Sequence, residues 1–212
     1  MNSFELYKKE YIDKSFERKD LFLLLRQRYK ICKALYPGSF VHVTPSLVFQ
    51  EVVYVDSDKN AKRFFEEIDS IKQFINLNKS YKEESSYRFM YQDYSTPIDL
   101  PYDYFDLLIS QWAGPISQSC KKYLKPGGFL LANNSHADAG IAFLDHDYLL
   151  VSAIKYSNGK FKIMENKLDI YFIPKSSKII SKESLIKSGK GIAYKNTAHS
   201  YLFMKKGENI LI

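Results

Sequence analysis

An apolar run, Ile31–Tyr36, ends in Pro37-Gly38-Ser39, and about twenty residues later a second run, Val52–Val55, ends in Asp56 and Ser57. The turn brings backbone amides and the Ser39 hydroxyl to a strand end, with Tyr36 and Pro37 as a floor beneath them. Such donors suit the polar end of a ligand. The Asp56 carboxylate offers two acceptor oxygens, which match a vicinal diol such as that of ribose. A glycine turn and a carboxylate closing successive strands form the skeleton of a nucleotide-binding α/β fold. Plainer readings stand beside this one. The turn can simply join strand to loop, and Asp56, Ser57 or Asp58 can cap the helix that follows.

Three further apolar runs also end in polar groups. Gln92, Asp93 and Tyr94 follow Tyr87–Tyr91, where Asp93 can accept from a ligand amine or open a turn before Pro97. Ser110, Gln111 and Trp112 end the run Phe105–Ser110. Trp112 offers a face for stacking on a flat ring, or it closes the core. Asn133, Asn134, Ser135 and His136 follow Phe129–Ala132 and suit substrate contacts, with His136 a candidate general base. His136-Ala137-Asp138 and Asp145-His146-Asp147 carry metal-capable groups, but their spacing matches no ligand motif and no metal is expected. The chain contains neither a GxxxxGKS/T phosphate loop nor a GxSxG nucleophile elbow.

The elements that must hold these groups follow from periodicity. Phe4–Lys19 and Asp20–Lys30 read as two helices, the second with Leu21, Leu24, Leu25 and Tyr29 on one face and Asp20 as N-cap. Val41–Val48 reads as a loop and helical turn with Pro45 at its start. Lys59–Ile75 places Ala61, Phe64, Phe65, Ile68, Ile71, Phe74 and Ile75 on one helical stripe. Ile116–Leu124 is a helix that stops at Pro126-Gly127-Gly128. With strands over the apolar runs, the pattern predicts a three-layer α/β open sheet, mostly parallel, in a single domain. Its parts are helices at 1–30, a parallel βα core at 31–135, and antiparallel strands and loop at 136–212. In the last part Tyr148–Tyr156, Lys160–Met164 and Leu168–Ile173 read as antiparallel strands, the first two joined by an Asn158-Gly159 hairpin. Lys175–Gly191 reads as a loop around a short helix, and Ser200–Lys205 as the final strand.

Composition bounds the rest. A 212-residue chain that is 45% hydrophobic supports a large core and excludes disorder. No run approaches the ~20 apolar residues of a membrane span, so no membrane partner is expected. Cys32 and Cys120 each lie in apolar segments, which reads as two buried thiols and points to the cytosol. The net charge of +7 invites nucleic acid, although the lysines are scattered and mixed with acids.

Taken in order, these signals resemble a class I S-adenosylmethionine-dependent methyltransferase over Asp20 to Tyr156 plus the final strand. ALYPGS stands at the family's first motif, YVDSD at the second, YQDYS at the third and FDLLISQWAG at the fourth. YLKPGGFLLANNS matches the helix stop that leads into the family's fifth strand. The resemblance implies S-adenosylmethionine as cofactor. It implies that Tyr36, Pro37, Gly38 and Ser39 hold the amino-acid end, Asp56 and Ser57 the ribose, and Asp93 and Tyr94 the adenine. Ser110 and Gln111 would stand beside the transferred methyl, with Trp112, Asn133, Asn134 and Ser135 toward the substrate. The chain has no separate target-recognition domain, and SQWAG replaces the (D/N/S)PP(Y/F/W) motif of amino-methylating DNA enzymes. A small-molecule acceptor is therefore favoured, with nucleic acid as an alternative. The first motif keeps one glycine where the family usually has a GxGxG pattern, which motivates a further alternative, a non-catalytic ligand- or protein-binding module.

Overall fold

The computed structural model describes residues 3–177 and 180–207. The chain forms two compact units, Met1–Thr96 and Pro97–Ile212.

In the first unit the strands β1 (Lys33–Pro37), β2 (Glu51–Asp56) and β3 (Ser86–Tyr91) lie in the order β3-β2-β1. Both pairings are parallel, with Ala34 opposite Val52 and Val53 opposite Arg88. Ala34, Leu35, Val52, Tyr54 and Val55 are fully buried, as expected of parallel strands covered on both faces. Between β1 and β2 the buried segment Val41–Phe49 folds around a 3₁₀ turn, Thr44–Leu47, with Pro45 in its first turn as expected.

The helices differ from their sequence expectation at two places. Helix α1 (Ser3–Tyr7) passes into a π-helical turn, Lys8–Ile12, and does not continue to Lys19. Ser15 and Arg18 both adopt φ of 55°, which no helix interior tolerates. Helix α2 (Lys19–Tyr29) therefore starts after Arg18, and Asp20 lies within its first turn and not at the N-cap. The stripe over Lys59–Ile75 is divided into α3 (Lys59–Glu66) and α4 (Ile68–Asn78). Glu67, at φ −80° and ψ 58°, breaks it and leaves Ile68 52% exposed.

In the second unit β4 (Phe105–Ser110), β5 (Leu124–Ala132), β6 (Tyr148–Ser157), β7 (Lys160–Met164) and β8 (Ser200–Lys205) lie in the order β4-β5-β8-β6-β7. β4 and β5 are parallel, and the remaining pairings are antiparallel. Helix α5 (Ile116–Ser119) and a 3₁₀ turn, Lys121–Tyr123, replace the single helix expected over Ile116–Leu124. Pro126-Gly127-Gly128 is absorbed into β5 as an irregularity, where the register jumps from Phe105–Leu124 to Leu107–Phe129. Gly128 is required there, because a Cβ would stand 2.8 Å from the Lys125 carbonyl oxygen. Asn158 and Gly159 carry the positive φ of the expected β6–β7 hairpin. Leu168–Ile173 is not a strand. Lys167 and Phe172 are both left-handed, so Leu168–Ile170 coils into a 3₁₀ turn and the Phe172 ring packs at 4.5 Å from those of Phe143 and Tyr201. Helices α6 (Asp138–Phe143) and α7 (Lys182–Ser188) complete the unit, α7 opening with a Ser181–Ser184 capping box. Lys178 and Ile179 of the expected loop lie outside the described residues.

Among the described residues, no helix is long and apolar enough to cross a membrane. Both cysteines are free, and only Cys120 is buried. Cys32 is exposed because its position precedes the part of β1 that is covered.

His42 lies fully buried under β1 and stacks on Tyr11 at 4.3 Å. Its Nε2 faces the Glu17 carbonyl oxygen at 3.0 Å, and that oxygen can only accept. Nε2 therefore carries the proton, and Nδ1 accepts from the Tyr36 hydroxyl at 3.1 Å. Burial, reinforced by the nearby Arg18 guanidinium, depresses its pKa to about 3. The unfolded chain, with His42 near the ordinary value of ~6.5, binds a proton that the fold refuses. The stabilisation from this site is present above pH ~6.5 and is lost as pH falls toward 3. We expect acidification from pH 7 to pH 5 to cost about 2 kcal/mol at this residue. His42→Gln, which hydrogen-bonds without titrating, should flatten that part of the pH dependence in urea melts. An equal slope in both proteins would mean that His42 is not its source.

Candidate functional site

In the first unit the polar groups gather at the carboxyl ends of β1 and β2. Gly38 turns the chain at φ 64°, a conformation that strains any residue with a Cβ, and its N–H donates to Val55 O at 2.8 Å. Two residues on, the Phe40 N–H donates to Asp56 Oδ2 at 2.7 Å. The other oxygen, Oδ1, accepts from the Asp58 N–H at 2.8 Å. Asp56 thus ties the turn after β1 to the loop after β2, and each oxygen keeps a lone pair. It does not cap α3. Asp58 does, accepting from the N–H groups of Asn60 at 2.6 Å and Ala61 at 3.2 Å.

The neighbours divide into buried and exposed. Tyr36, Pro37 and Ser39 are buried and Ser57 is exposed. The Tyr36 hydroxyl is committed to His42, and the Ser39 hydroxyl donates to Phe40 O at 3.3 Å. Asp93 is exposed beyond β3, with Tyr94 half-buried beside it. Asp93 Oδ1 accepts from the Ser95 N–H at 2.8 Å, and bonds from Ser95 hold its carboxyl below its ordinary pKa. This is the turn geometry that was the plainer reading of Asp93.

In the second unit the strand ends of β4 and β5 bring Ser110, Gln111 and Asn133 together, Ser110 standing opposite Ala132 in the register. Asp138, at the start of α6, is buried and collects Ser110 Oγ at 2.5 Å, the Ser117 N–H at 3.0 Å and the Ser117 hydroxyl. Burial raises its pKa against the opposing pull of these bonds. This knot fixes β4, α5 and α6 to one another. Gln111 is 3% exposed and Asn133 5% exposed. Gln111 Nε2 donates to Ser200 Oγ at 3.3 Å, whereas Oε1 has no partner among the described residues. Asn133 Oδ1 accepts from the N–H and hydroxyl of Ser135, which orients the amide and leaves Nδ2 without a partner among the described residues. Two buried polar atoms at neighbouring strand ends thus lack a protein partner among the described residues, although such atoms are nearly always paired.

Asn134 is held elsewhere. Its Nδ2 donates to Ile192 O at 3.0 Å. Trp112 is 46% exposed at φ 61°, its ring T-shaped to that of His199 at 6.2 Å, and does not close the core. His136 is exposed, and no acid orients its ring among the described residues.

Among the described residues, no group of three or more His, Cys, Asp or Glu could hold a metal. The Asp145-His146-Asp147 segment is a lysine clamp. Asp145 accepts from Lys182 at 2.8 Å, Gln118 at 2.9 Å and Lys121 at 3.0 Å. Burial works against its ionisation, but these bonds prevail and hold the carboxyl well below the usual range.

No family model and no curated protein sequence matches the chain. Solved structures do. The O-methyltransferase TomG from Streptomyces achromogenes, involved in tomaymycin synthesis and solved with SAM, aligns with a TM-score of 0.50 at 11% identity, over 90% of this chain and 80% of that one. The fold is that of a class I S-adenosylmethionine-dependent methyltransferase. The N-methyltransferase NodS from Bradyrhizobium japonicum aligns at 11% identity and a TM-score of 0.49, over 94% and 99% of the two chains. An S-adenosyl-L-methionine-dependent methyltransferase from Methanococcus maripaludis aligns at 14% identity and a TM-score of 0.44, over 62% of this chain and 61% of that one. The chain thus spans less than two thirds of that protein's length.

Within this methyltransferase fold, sequence reasoning missed Asp138 as an organiser and Ser200 as the partner of Gln111. A lone acid opening the otherwise apolar helix DAGIAF was the available signal for Asp138. For Asp138→Ala, which strips the acceptor from Ser110 and Ser117, we expect a loss of about 1.5–3 kcal/mol in chemical denaturation. A loss below about 1 kcal/mol would show that water or local rearrangement replaces the carboxylate.

Proposed function

We propose that this chain is an S-adenosylmethionine-dependent methyltransferase. The observation that carries the reading is Asp56, a carboxylate at the end of β2 fixed by the amides of Phe40 and Asp58 with one lone pair free on each oxygen. Two such acceptors in a rigid frame suit the two hydroxyls of a ribose. The turn Tyr36–Ser39 would hold the amino-acid end of the cofactor through backbone groups, because the Tyr36 and Ser39 hydroxyls are already committed. Asp93 and Tyr94 would border the adenine, with the outer lone pairs of Asp93 facing solvent. Bound there, S-adenosylmethionine supplies a methyl group already activated by its sulfonium.

What the protein must add is alignment and exclusion of water. Gln111 Oε1 would accept a hydrogen bond from the methyl acceptor and Asn133 Nδ2 would donate one to it. The acceptor class proposed is therefore a polar group that carries a donor next to an acceptor, as in a carboxamide or the edge of a heterocyclic base. Trp112, 46% exposed, would stand toward the flat form of such a group. Ser135, which pins Asn133, would act through it and not by direct contact. His136 is the nearby base for an acceptor that must lose a proton, and its exposed ring would need the substrate to orient it.

Calorimetric titration with S-adenosylmethionine and S-adenosylhomocysteine tests this reading. We expect micromolar binding of at least one. Asp56→Ala should weaken it tenfold or more, about 1.5–3 kcal/mol for a charge-assisted bond. Unchanged affinity in a folded Asp56→Ala protein would remove Asp56 from the site, and no binding by the folded parent would sink the reading.

A further inference from the structure

Behind Gln111 the second unit carries a chain of polar contacts that reaches His199. Gln111 Nε2 donates to Ser200 Oγ at 3.3 Å, and Ser200 Oγ lies 2.8 Å from His199 Nδ1. Ser200 is fully buried at the start of β8, and among the described residues its hydroxyl meets these two groups alone. The imidazole is itself held in place. Its ring lies 5.1 Å from that of Phe161, 6.1 Å from Tyr156 and 6.2 Å from Trp112. The His199 N–H donates to Ile154 O at 2.9 Å, which joins it to β6.

A hydroxyl has one proton to give. With the imidazole proton on Nε2, the Ser200 hydroxyl donates to Nδ1, and its oxygen accepts from Gln111 Nε2. Gln111 Oε1 is then the atom turned away from Ser200. This is the arrangement in the structure. With Nδ1 protonated, Nδ1 donates to Ser200 instead. The Ser200 proton must then turn to its other partner, Gln111, where only Oε1 can receive it. The amide rotates by half a turn, and Nε2 takes the outer place. Hydrogen bonds are exchanged in this rearrangement and no covalent bond changes apart from the proton that Nδ1 takes up.

We propose, on the reading of Gln111 as a substrate contact, that His199 is a positioning residue: through Ser200 it sets which atom of the Gln111 amide faces the substrate. The two states divide substrates by chemistry. The first takes a group with a proton to give, such as an amide N–H, and the second takes a bare carbonyl or carboxylate oxygen. Tyr156 is the titratable group among the three rings around His199. Lys155, Lys160 and Lys162 alternate with the paired Tyr156 and Phe161 in the β6–β7 register, which puts them on the other face of the hairpin.

Nuclear magnetic resonance of the isotope-labelled full chain across a pH titration tests this role. We expect the Gln111 side-chain amide to shift with the same midpoint as the His199 ring. In Ser200→Ala the ring should still titrate and the amide should not follow. His199→Asn, whose Oδ1 can accept in the place of Nδ1 without titrating, should hold the amide in the first state at every pH. Benzamide, which carries N–H donors, and acetophenone, which has the carbonyl alone, read the consequence through the same resonance. Above the midpoint benzamide should bind about tenfold tighter than acetophenone, and below it that preference should fall to about threefold or less. A Gln111 amide indifferent to the His199 midpoint, or one that follows it equally in Ser200→Ala, would overturn the relay and leave the methyltransferase reading standing. A shared midpoint with neither probe moving the Gln111 resonance would instead remove Gln111 from the substrate site, and the proposed role of His199 with it.

Discussion

Strands buried on both faces leave polar chemistry almost nowhere to stand except at their ends. The interiors of β1, β2, β4 and β5 are runs such as ALY, VVYV, LLI and LLA, nearly free of hydrogen-bonding side chains. Asp56, Ser110, Gln111 and Asn133 all occur within a residue of a strand's carboxyl terminus. That constraint explains why a fold of this kind concentrates its reactive groups on one side of its sheet. It also explains why those groups are so heavily used in holding the chain together. Asp56 joins two loops, and Ser110 is bound to Asp138.

The two polar clusters of the second unit show opposite states of satisfaction. Around Asp138 every donor that points inward meets an oxygen, so the cluster is closed and structural. Around Gln111 and Asn133 one atom of each amide is paired and the other is not. The paired atoms fix the orientation of the amides, and the unpaired atoms are then presented in a definite direction. A half-satisfied amide at a strand end is thereby held in one orientation by the bond that it does make.

Much of the fold was legible because apolar runs and turn residues act locally. FDLLIS marks β4 to the residue, and Asn158-Gly159 marks its hairpin. The failures share a cause. Glu67, Lys167 and Phe172 change the chain direction through their own φ and ψ, which the apolar pattern does not register. Pro126-Gly127-Gly128 stops helices in general, but here the same flexibility is used inside a strand. Among the candidate residues, the place of Asp56 at a strand end could be read from the chain. Its bonds to Phe40 and Asp58 could not, since they depend on a left-handed Phe40 that nothing in its side chain announces. Asp138 was masked by its neighbour His136, which made a structural acid look like half of a metal site.

Gly191 lies against Asn134 so closely that a Cβ would fall 1.9 Å from the Asn134 carbonyl oxygen. The adjacent Ile192 carbonyl takes the Asn134 side-chain bond, so the segment Gly191-Ile192 lies against the residues that follow β5. In evolutionary terms this position is a ratchet. Any side chain at 191 forces this segment to withdraw, and withdrawal forfeits the hydrogen bond. Change in how this part of the molecule meets its surroundings must then enter through the flanks, from Lys190 outward or from Ile192 onward, while the glycine between them stays fixed.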